Sequence, residues 1–373
     1  MSEHRARSRI DLPLVLAASL AGLGLLWVLL ALPSLEASAN WAQDFVAYRS
    51  ASLRLADEGT LYASVSLVGD FEPEAQNLYL YPPPLGIAMA PFSAIDPSVG
   101  ATAWYLLHVV VLAATCALMP VRGQTRLLVF GLAALSFAVL RDLTMGNVSV
   151  LLLLPLVLGW RWLDRPAGSI ALAVAASVRV TFGVYLMWFL IRRAWWPLLW
   201  MAAAGGVLIL LSLPFVGIGG YLDYLSLVSN VSGTTDLVQN RHLTVTALSL
   251  GVAADMAWLI LIPTYILALG TVIYSRRRDR EVGFMVTAAA ALLLAPLIWD
   301  HYLSITLLTA AFLAQRGRPW ALVLPLLSWL PPALLPFVAI ATLLLPFLAR
   351  DPESPEADAV GMDTTSRSAG VPA

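Results

Sequence analysis

The chain has 373 residues, of which 60% are hydrophobic and only 12% are charged, and its formal net charge at pH 7 is −1. Its mean hydropathy of +0.81 is higher than a soluble globular domain of this length would tolerate, so the composition predicts a membrane protein. The near-neutral charge, without any basic domain, excludes nucleic acid as a partner. The single cysteine, Cys116, excludes an internal disulfide and a cysteine-based metal cluster.

Long apolar segments predict how the chain crosses the membrane. The first, Leu12 to Leu32, offers about 20 apolar residues, enough for a helix to span a hydrocarbon layer of roughly 30 Å. Short loops rich in basic residues stay in the cytoplasm, so we place the arginine clusters on that side. The apolar blocks between them then form about twelve transmembrane or half-length helices, with both termini cytoplasmic. The clusters are "HRARSR" at residues 4–9, Arg122/Arg126, Arg161/Arg165, Arg192/Arg193, "RRRDR" at 276–280, Arg316/Arg318 and Arg350.

This topology predicts an all-α polytopic membrane protein in three parts. A cytoplasmic N-terminus covers residues 1–11, the transmembrane domain covers 12–350, and a polar tail at 351–373 is predicted to be disordered and cytoplasmic. Two outer loops, 34–85 and 217–255, are longer than simple connections need to be, and loops of that length usually carry function. In the first loop, the Leu/Ala periodicity of "LRLADEGTLYAS" predicts a helix that lies along the membrane surface.

An acid, a tyrosine and an arginine follow the first apolar segment in "NWAQDFVAYRSA" at residues 40–51. A carboxylate such as Asp44 at the membrane boundary can accept a proton from a hydroxyl, as a general base does. It can equally cap a helix or pair with Arg49, and the residues alone leave both interpretations open. Tyr48 and Arg49 come one helical turn later, so we expect them beside any substrate.

Arg179 is the most costly charge in the chain, since apolar residues surround it in "AASVRVTFGV". A mid-membrane arginine is unfavourable by about 2.5 to 3.5 kcal/mol even on the lower scales, so it should face a cavity and a partner. A ligand phosphate held by the guanidinium fork is one such partner, and an acid on another helix is the alternative. Residues 167–191 must leave and re-enter the same side, which predicts two half-length helices around Arg179.

Three other polar groups stand near predicted helix ends. In "LIWDHYL", Trp299 and Tyr302 are typical of an interfacial aromatic belt, whereas His301 beside Asp300 could donate a hydrogen bond to a phosphate. Asn147 in "MGNVSV" could contact a substrate or only cap the following helix. The remaining group, Arg241 with His242, fits a substrate clamp or a solvated face, and the pattern favours the solvated face. No nucleotide-binding or soluble-hydrolase motif is found in the sequence.

Six segments taken in order resemble the polytopic GT-C glycosyltransferases of glycosyltransferase family 87, which includes actinobacterial polyprenol-phosphate-dependent mannosyltransferases. They are "DFVAYRSA" followed by "LADEGTLY", "YLYPPPLGIAMAPF", "MGNVSVLLLLPLVLGW", "AGSIALAVAASVRVTFGVYLMWFLIRR" and "LLLAPLIWDHYLSITLL". These segments span residues 44–308, most of the expected folded chain. The resemblance implies a GT-C-type fold with a long first outer loop.

The resemblance also implies site residues. The family's catalytic base falls on Asp44, and the histidine associated with the donor phosphate falls on His301. Arg179 stands where the family usually has lysine, with Phe182 in place of the proline three positions later. The family's Gly-Gln-x-Asn is Gly-Asn-Val-Ser at 146–149 here, which leaves the donor sugar less defined than the fold.

Residues and resemblance together predict a plasma-membrane enzyme that moves a sugar, expected to be mannose, from a polyprenyl-phosphate donor to a glycolipid or glycan acceptor. The reaction would invert the anomeric carbon, face the extracytoplasmic side, and use no cofactor or metal. Arg179, His301 and Arg49 would bind the donor phosphate. The expected substrate contacts are Tyr48, Tyr81, Asn147, Asp300, Arg241 and His242.

Three alternatives differ in the donor sugar or in the class of protein. An arabinofuranosyltransferase using a polyprenyl-phosphate pentose would have the same family features. A membrane transporter or lipid-linked-sugar flippase would use Asp44 and Arg179 to gate its substrate, without bond chemistry. A transporter usually shows corresponding broken helices in two related halves, whereas this sequence shows one such block, around Arg179. A noncatalytic membrane scaffold would leave Arg179 unexplained.

Overall fold

The computed structural model describes residues 11–67, 79–232, 251, 256, 258–295 and 297–350. These residues form helices and turns without any β-strand among them, which confirms the expected all-α class. The α-helices are α1 (Leu12–Glu36), α2 (Gln43–Glu58), α3 (Ser64–Leu67), α4 (Pro83–Ala88), α5 (Ala90–Ser93), α6 (Pro97–Leu118), α7 (Gly123–Leu135), α8 (Phe137–Met145), α9 (Ser149–Arg161), α10 (Pro166–Val178), α11 (Val184–Ile191), α12 (Trp195–Ser232), α13 (Trp258–Ser275), α14 (Arg280–Leu293), α15 (Thr306–Gln315) and α16 (Leu335–Leu344). Segments of 3-10 helix are Val180–Gly183, Asp300–Ile305, Pro319–Trp329, Pro332–Leu334 and Leu345–Leu348.

Several helices are apolar enough to enter a membrane. Among the described residues, three are also long enough to cross it: Leu12–Ala31, Pro97–Leu118 and Trp195–Val231. Helices α7 and α8 become a fourth if they form one span bent by 63°. Other apolar helices, including α9, α10 and the part of α13 at Leu259–Ser275, have only 10–17 residues. The chain is therefore membrane-embedded, while the predicted number of twelve crossings is not confirmed.

The helices divide into a buried centre and a lipid-facing rim. Helix α14 is buried from Val282 to Leu293, and α15 is buried from Thr306 to Leu313. By contrast, α1 and α12 leave most of their apolar side chains exposed, as expected for helices against lipid tails. The long α12 also bends at Gly217, where the second predicted outer loop begins.

The helix break predicted around Arg179 is confirmed. Helix α10 ends at Val178, Arg179 itself is extended with φ −131° and ψ 105°, and a short 3-10 turn leads into α11. The break forms although Phe182 occupies the position of the family's proline. Non-helical backbone at membrane depth is stable where it lines a protein cavity, and this break does so, as described below.

The first outer loop forms a helical layer that packs against α6 and α8. Its main element, α2, begins just before Asp44 and includes the start of the predicted surface helix. Helices α4 and α5 pack against α2 and bring Tyr81 beside it. Residues 1–10, 68–78, 233–250 and 351–373, which include the predicted tail and much of the second outer loop, lie outside the described residues.

Candidate active site

A tight turn between α8 and α9 presents the first functional side chain. Gly146 follows the last residue of α8 with φ 69° and ψ 33°, a left-handed conformation that glycine adopts without a steric cost. A Cβ atom there would lie 3.0 Å from Cβ of Phe45 and 3.1 Å from Cδ1 of Trp104. Both the conformation and the lack of space therefore require glycine, and the turn directs Asn147 towards α2.

The amide of Asn147 is the centre of a polar cluster. Its Nδ2 lies 2.7 Å from Oδ2 of Asp44, 2.9 Å from the hydroxyl of Tyr81 and 3.1 Å from that of Tyr48. Its Oδ1 accepts hydrogen bonds from the backbone N–H and the hydroxyl of Ser149, at 3.0 and 2.8 Å. Asn147 thus bonds the first N–H of α9 and also contacts Asp44, while its contact with a substrate stays a prediction.

Asp44 lies in the first turn of α2, outside the membrane-spanning helices, and is half-buried. The preceding Ala42 has a left-handed φ of 53°, and its N–H donates to the carbonyl of Thr144 at 2.7 Å. Burial raises the pKa of the Asp44 carboxyl to about 6, against the opposing effects of the Asn147 hydrogen bond and the charges of Arg141 and Arg179. The group is therefore ionised at neutral pH and remains a better proton acceptor than an ordinary aspartate.

Arg179 faces the same turn from the helix break. Its Nη2 donates to Oγ of Ser149 at 2.8 Å, and its Cζ lies 3.6 Å from the ring centroid of Tyr302. The Nε atom is buried and has no hydrogen-bond partner among the described residues. A guanidinium that stacks on an aromatic ring and has one N–H donor without a partner is suited to bind an anionic oxygen.

Four side chains therefore form one hydrogen-bonded chain from Arg179 to Asp44. Arg179 donates to Ser149, Ser149 donates to Asn147, and Asn147 donates to Asp44. In each hydrogen bond the donor is on the Arg179 side and the acceptor is on the Asp44 side. The chain therefore joins a cation at one end to a carboxylate at the other. This arrangement fixes the separation of the two charges without a direct ion pair.

A narrow cavity opens beside the Arg179 end of this chain. Polar groups line one part and apolar side chains line the rest; the lining comprises Ser149, Leu152, Leu153, Leu156, Arg179, Phe182, Ala291, Leu292, Tyr302, Ser304 and Ile305. Asp44 and His301 are not on this wall. Asp44 is joined to it through Asn147 and Ser149, and His301 directly precedes Tyr302 in the 3-10 segment.

His301 is 3% exposed, and its Nε2 has no hydrogen-bond partner among the described residues. Its ring packs edge-on against Tyr302, with 5.0 Å between centroids, so it stands one ring away from Arg179. Asp300 is half-buried at the start of the same segment. Within the described part of the chain, no group of three or more His, Cys, Asp or Glu side chains is placed to hold a metal ion.

Arg49 is placed differently from the other predicted site residues. Its Nε donates to the carbonyl of Phe92 at 3.1 Å, and its Nη2 donates to the carbonyls of Ser93 and Ile95 at 3.3 and 3.1 Å. The guanidinium thus closes the end of α5, and this occupies its Nε–H and both N–H groups of Nη2. Arg241 and His242 lie outside the described residues.

Two site residues were missed from the sequence. Ser149 links Asn147 to Arg179, and the only signal for it was its position in the aligned four-residue motif. Tyr302 was assigned to an interfacial belt, whereas its ring supports the guanidinium of Arg179. An aromatic residue beside a predicted phosphate ligand could have suggested that contact.

Comparison with known proteins identifies the family. The sequence model of glycosyltransferase family 87 matches residues 79–299, which is more than half of the chain. Neither the curated proteins nor the solved structures include a match. The matched range contains the Asn147 turn and the Arg179 break. The chain therefore belongs to glycosyltransferase family 87.

Proposed function

We propose that this glycosyltransferase moves mannose from a polyprenyl-phosphate donor to a glycolipid or glycan acceptor, with inversion at the anomeric carbon. The observation that carries the proposal is the chain from Asp44 through Asn147 and Ser149 to Arg179. It provides a proton acceptor at one end and an anion-binding group at the other. A sugar transfer with a phosphate leaving group requires both groups in one site.

Asp44 acts as the general base. With a pKa of about 6 it is charged at neutral pH, and the carboxylate of this half-buried residue can accept a proton from an acceptor hydroxyl. Asn147 holds one of those oxygens by donating to it at 2.7 Å, which fixes the orientation of the carboxylate. The second oxygen is the one expected to face the acceptor.

Arg179 and His301 bind the donor phosphate. Both have a buried nitrogen without a partner among the described residues, and burial of such a group is unfavourable unless a ligand completes its hydrogen bonds. A phosphate oxygen would satisfy either nitrogen. Arg49 is left out of this phosphate site, because backbone carbonyls already occupy its Nε and Nη2 donors.

The lining of the cavity beside Arg179 has the chemistry that a lipid-linked phosphate needs, although the cavity itself, at about 10 Å³, would have to widen to admit one. Its polar end carries Arg179 and Ser149, and its walls continue with Leu152, Leu156 and Phe182. A phosphate at the polar end would place the first isoprene units against the apolar side chains. A soluble sugar nucleotide would instead need polar groups along this wall for its base and ribose.

The reaction then proceeds in one displacement. The acceptor hydroxyl gives its proton to Asp44 and attacks the anomeric carbon on the face opposite the phosphate, while the bond from that carbon to the phosphate oxygen breaks. Polyprenyl phosphate leaves, and the negative charge that develops on it is stabilised by Arg179 and His301. Preorganised donors of this kind can contribute about 2.7 to 4 kcal/mol each. A β-linked donor gives an α-mannoside, and the chemistry requires no cofactor.

We place the active site on the extracytoplasmic side of the plasma membrane, with both termini in the cytoplasm. Support comes from the arginine-rich segments, since short basic loops stay cytoplasmic. The segment 276–280 at the end of α13 and the pair Arg192/Arg193 after α11 are examples. Asp44 follows the opposite end of the first apolar helix.

The test is a transfer assay with the purified protein in lipid. Labelled polyprenyl-phosphate mannose is supplied with a crude pool of glycolipids and glycans, and Asp44→Asn is assayed beside the unaltered protein. Label in the acceptor fraction that Asp44→Asn abolishes supports the proposal. A parallel arm uses polyprenyl-phosphate arabinofuranose, and transfer from that donor alone would replace mannose by the pentose. If labelled donor only changes leaflet and no acceptor is labelled, the flippase interpretation holds.

A further inference from the structure

His108 lies in the middle of α6, fully buried, and has no part in the reaction described above. Its Nδ1 is 2.7 Å from the carbonyl oxygen of Trp104, one turn earlier in the same helix. Its Nε2 is 2.5 Å from the carbonyl oxygen of Asn147, which is 39 residues away. Both ring nitrogens therefore face acceptor oxygens at hydrogen-bonding distance.

The tautomer of the ring decides which of these two contacts is a hydrogen bond. A carbonyl oxygen only accepts hydrogen bonds, and a neutral imidazole carries a single N–H. With that N–H on Nε2, the neutral ring donates to the carbonyl of Asn147. Oδ1 of the fully buried Asp142 lies 3.7 Å from the same Nε2.

Asp142 and Trp104 hold the same turn from other directions. The main-chain carbonyl of Asp142 accepts the N–H groups of Gly146 and Asn147 at 2.8 and 3.1 Å. Its carboxylate oxygen Oδ2 accepts the N–H of Val150 at 3.3 Å. The indole of Trp104 donates to the carbonyl of Gly146 at 2.8 Å. The main chain on both sides of the Asn147 side chain is therefore bonded to groups that His108 contacts.

We propose that His108 is a positioning residue that, through the N–H on its Nε2, holds the main chain of Asn147 so that its amide stays in contact with Asp44. This inference rests on the proposed role of Asp44 as the base. His108 touches neither substrate nor Asp44 and acts only through Asn147. Asparagine has a short side chain, so a change in its main-chain orientation moves Nδ2 away from the carboxylate. Misplacement by about 1 Å near a reacting group can slow a reaction about a hundredfold.

Two neutral substitutions separate this role from general packing. Glutamine at position 108 can place its amide N–H where Nε2 now donates, whereas asparagine reaches only the position of Nδ1. His108→Gln therefore keeps the bond to Asn147, and His108→Asn loses it. Both put a neutral amide in place of the imidazole, so charge effects on Asp44 from Arg141, Arg179 and Asp142 are equal in the pair.

The readout is the pH midpoint of kcat/KM for transfer, because it does not depend on how much of the protein is folded. The Asn147 hydrogen bond lowers the pKa of Asp44, so its loss should raise that midpoint. We expect the midpoint of His108→Asn to lie at least about 0.5 pH unit above that of His108→Gln, with kcat at pH 7 about tenfold lower. KM for the donor should be unchanged in both.

Equal midpoints and equal kcat in the two variants would overturn the proposal. If His108→Asn gives no folded protein, His108→Leu, which offers an apolar side chain without a donor, takes its place against His108→Gln with the same expectation. The two proposals fail in distinguishable ways. Absence of transfer by the unaltered protein from any polyprenyl donor removes the proposed function, whereas transfer that Asp44→Asn abolishes but position 108 does not affect removes only the role of His108.

Discussion

Nδ2 of Asn147 lies 2.7 Å from Oδ2 of Asp44, although 103 residues separate the two in the chain. This contact joins the turn after α8 to the first turn of α2, and it brings the two most informative sequence motifs into one site. It also gives the amide a defined task, since a carboxylate that accepts one fixed hydrogen bond keeps one orientation. The mutational behaviour of Asp44 follows from this arrangement.

Replacing Asp44 by asparagine should remove the proton acceptor while keeping the shape of the side chain. General base catalysis typically contributes 10²–10⁴-fold, so we expect kcat to fall by about that factor, with the KM of the donor little changed. Initial rates of sugar transfer measure the effect. Asp57→Asn, an exposed acid near the other end of α2, is the matched control and should keep full activity.

A transfer rate for Asp44→Asn equal to that of the unaltered protein would show that another group accepts the proton. Asp142 would not be the substitute, because it is fully buried beneath the Asn147 turn. Loss of activity in both Asp44→Asn and Asp57→Asn would indicate a general effect of charge on α2.

The activity of the enzyme should depend on the ionisation of Asp44. The base works only when deprotonated, and burial raises its pKa to about 6, so kcat/KM should rise with pH through about 6. A single ionisation with this midpoint makes kcat/KM about tenfold higher at pH 7 than at pH 5. Because the Asn147 hydrogen bond lowers the pKa of Asp44, Asn147→Ala should move the midpoint upward.

Profiles of kcat/KM between pH 4.5 and 8.5, a range chosen to extend at least about one unit beyond the expected midpoint, test this expectation. Gln43→Ala, at an exposed residue next to Asp44, is the control and should leave the midpoint unchanged. A midpoint near the ordinary value for aspartate would mean that the carboxyl is solvated in the working enzyme. A midpoint that Asn147→Ala does not move would remove the amide from the description of the base.

The sequence predicted the break at Arg179 but not the contacts of Arg49. A charge flanked by apolar residues has few stable environments, so the cost of burial alone indicated a cavity. The guanidinium of Arg49 instead bonds to carbonyls more than forty positions away, which depends on how α5 packs on α2. Such long-range packing leaves no periodic signal in the sequence.

The number of crossings was hard to predict for a related reason. Apolar helices of 10–17 residues, such as α9 and α10, have the composition of membrane spans but are shorter than a helix that crosses the membrane. Hydropathy cannot tell whether such a helix crosses alone, joins a neighbour or ends inside the protein. The packing of Asn147 against Asp44 likewise needed the structure, because the resemblance aligned each motif but not their contact.

Arg49 should be important for stability and not for donor binding. Its three hydrogen bonds to the carbonyls of residues 92, 93 and 95 hold the end of α5, and bonds from a charged group contribute about 1.5 to 3 kcal/mol each at most. We expect Arg49→Gln to lower the free energy of unfolding by roughly 1 to 3 kcal/mol, with an unchanged donor KM. Thermal unfolding in detergent and donor titrations measure the two quantities.

Arg122→Gln, at an exposed arginine, is the control for Arg49→Gln and should change neither quantity. The opposite result, a higher donor KM without any loss of stability, would return Arg49 to the phosphate site predicted from the sequence. It would also require the contact with α5 to open when the donor binds.

Arg179 should tolerate lysine better than glutamine. Lysine keeps the positive charge next to the donor phosphate, but it has no planar fork to stack on Tyr302 while also bonding Ser149. Loss of one preorganised donor to a developing negative charge costs about 10²–10³ in kcat. We therefore expect Arg179→Gln to lose at least that factor, and Arg179→Lys to retain an intermediate rate.

The matched comparison for Arg179 is Ser149→Ala, which removes the partner of Nη2 and leaves the charge in place. It should weaken both ends of the hydrogen-bonded chain, because Ser149 also donates to Asn147. Rates are measured at saturating donor, so that binding and the chemical step are separated. Equal rates for the lysine and glutamine variants would show that charge at position 179 does not stabilise the leaving phosphate, and the phosphate site would then have to be built around His301 alone.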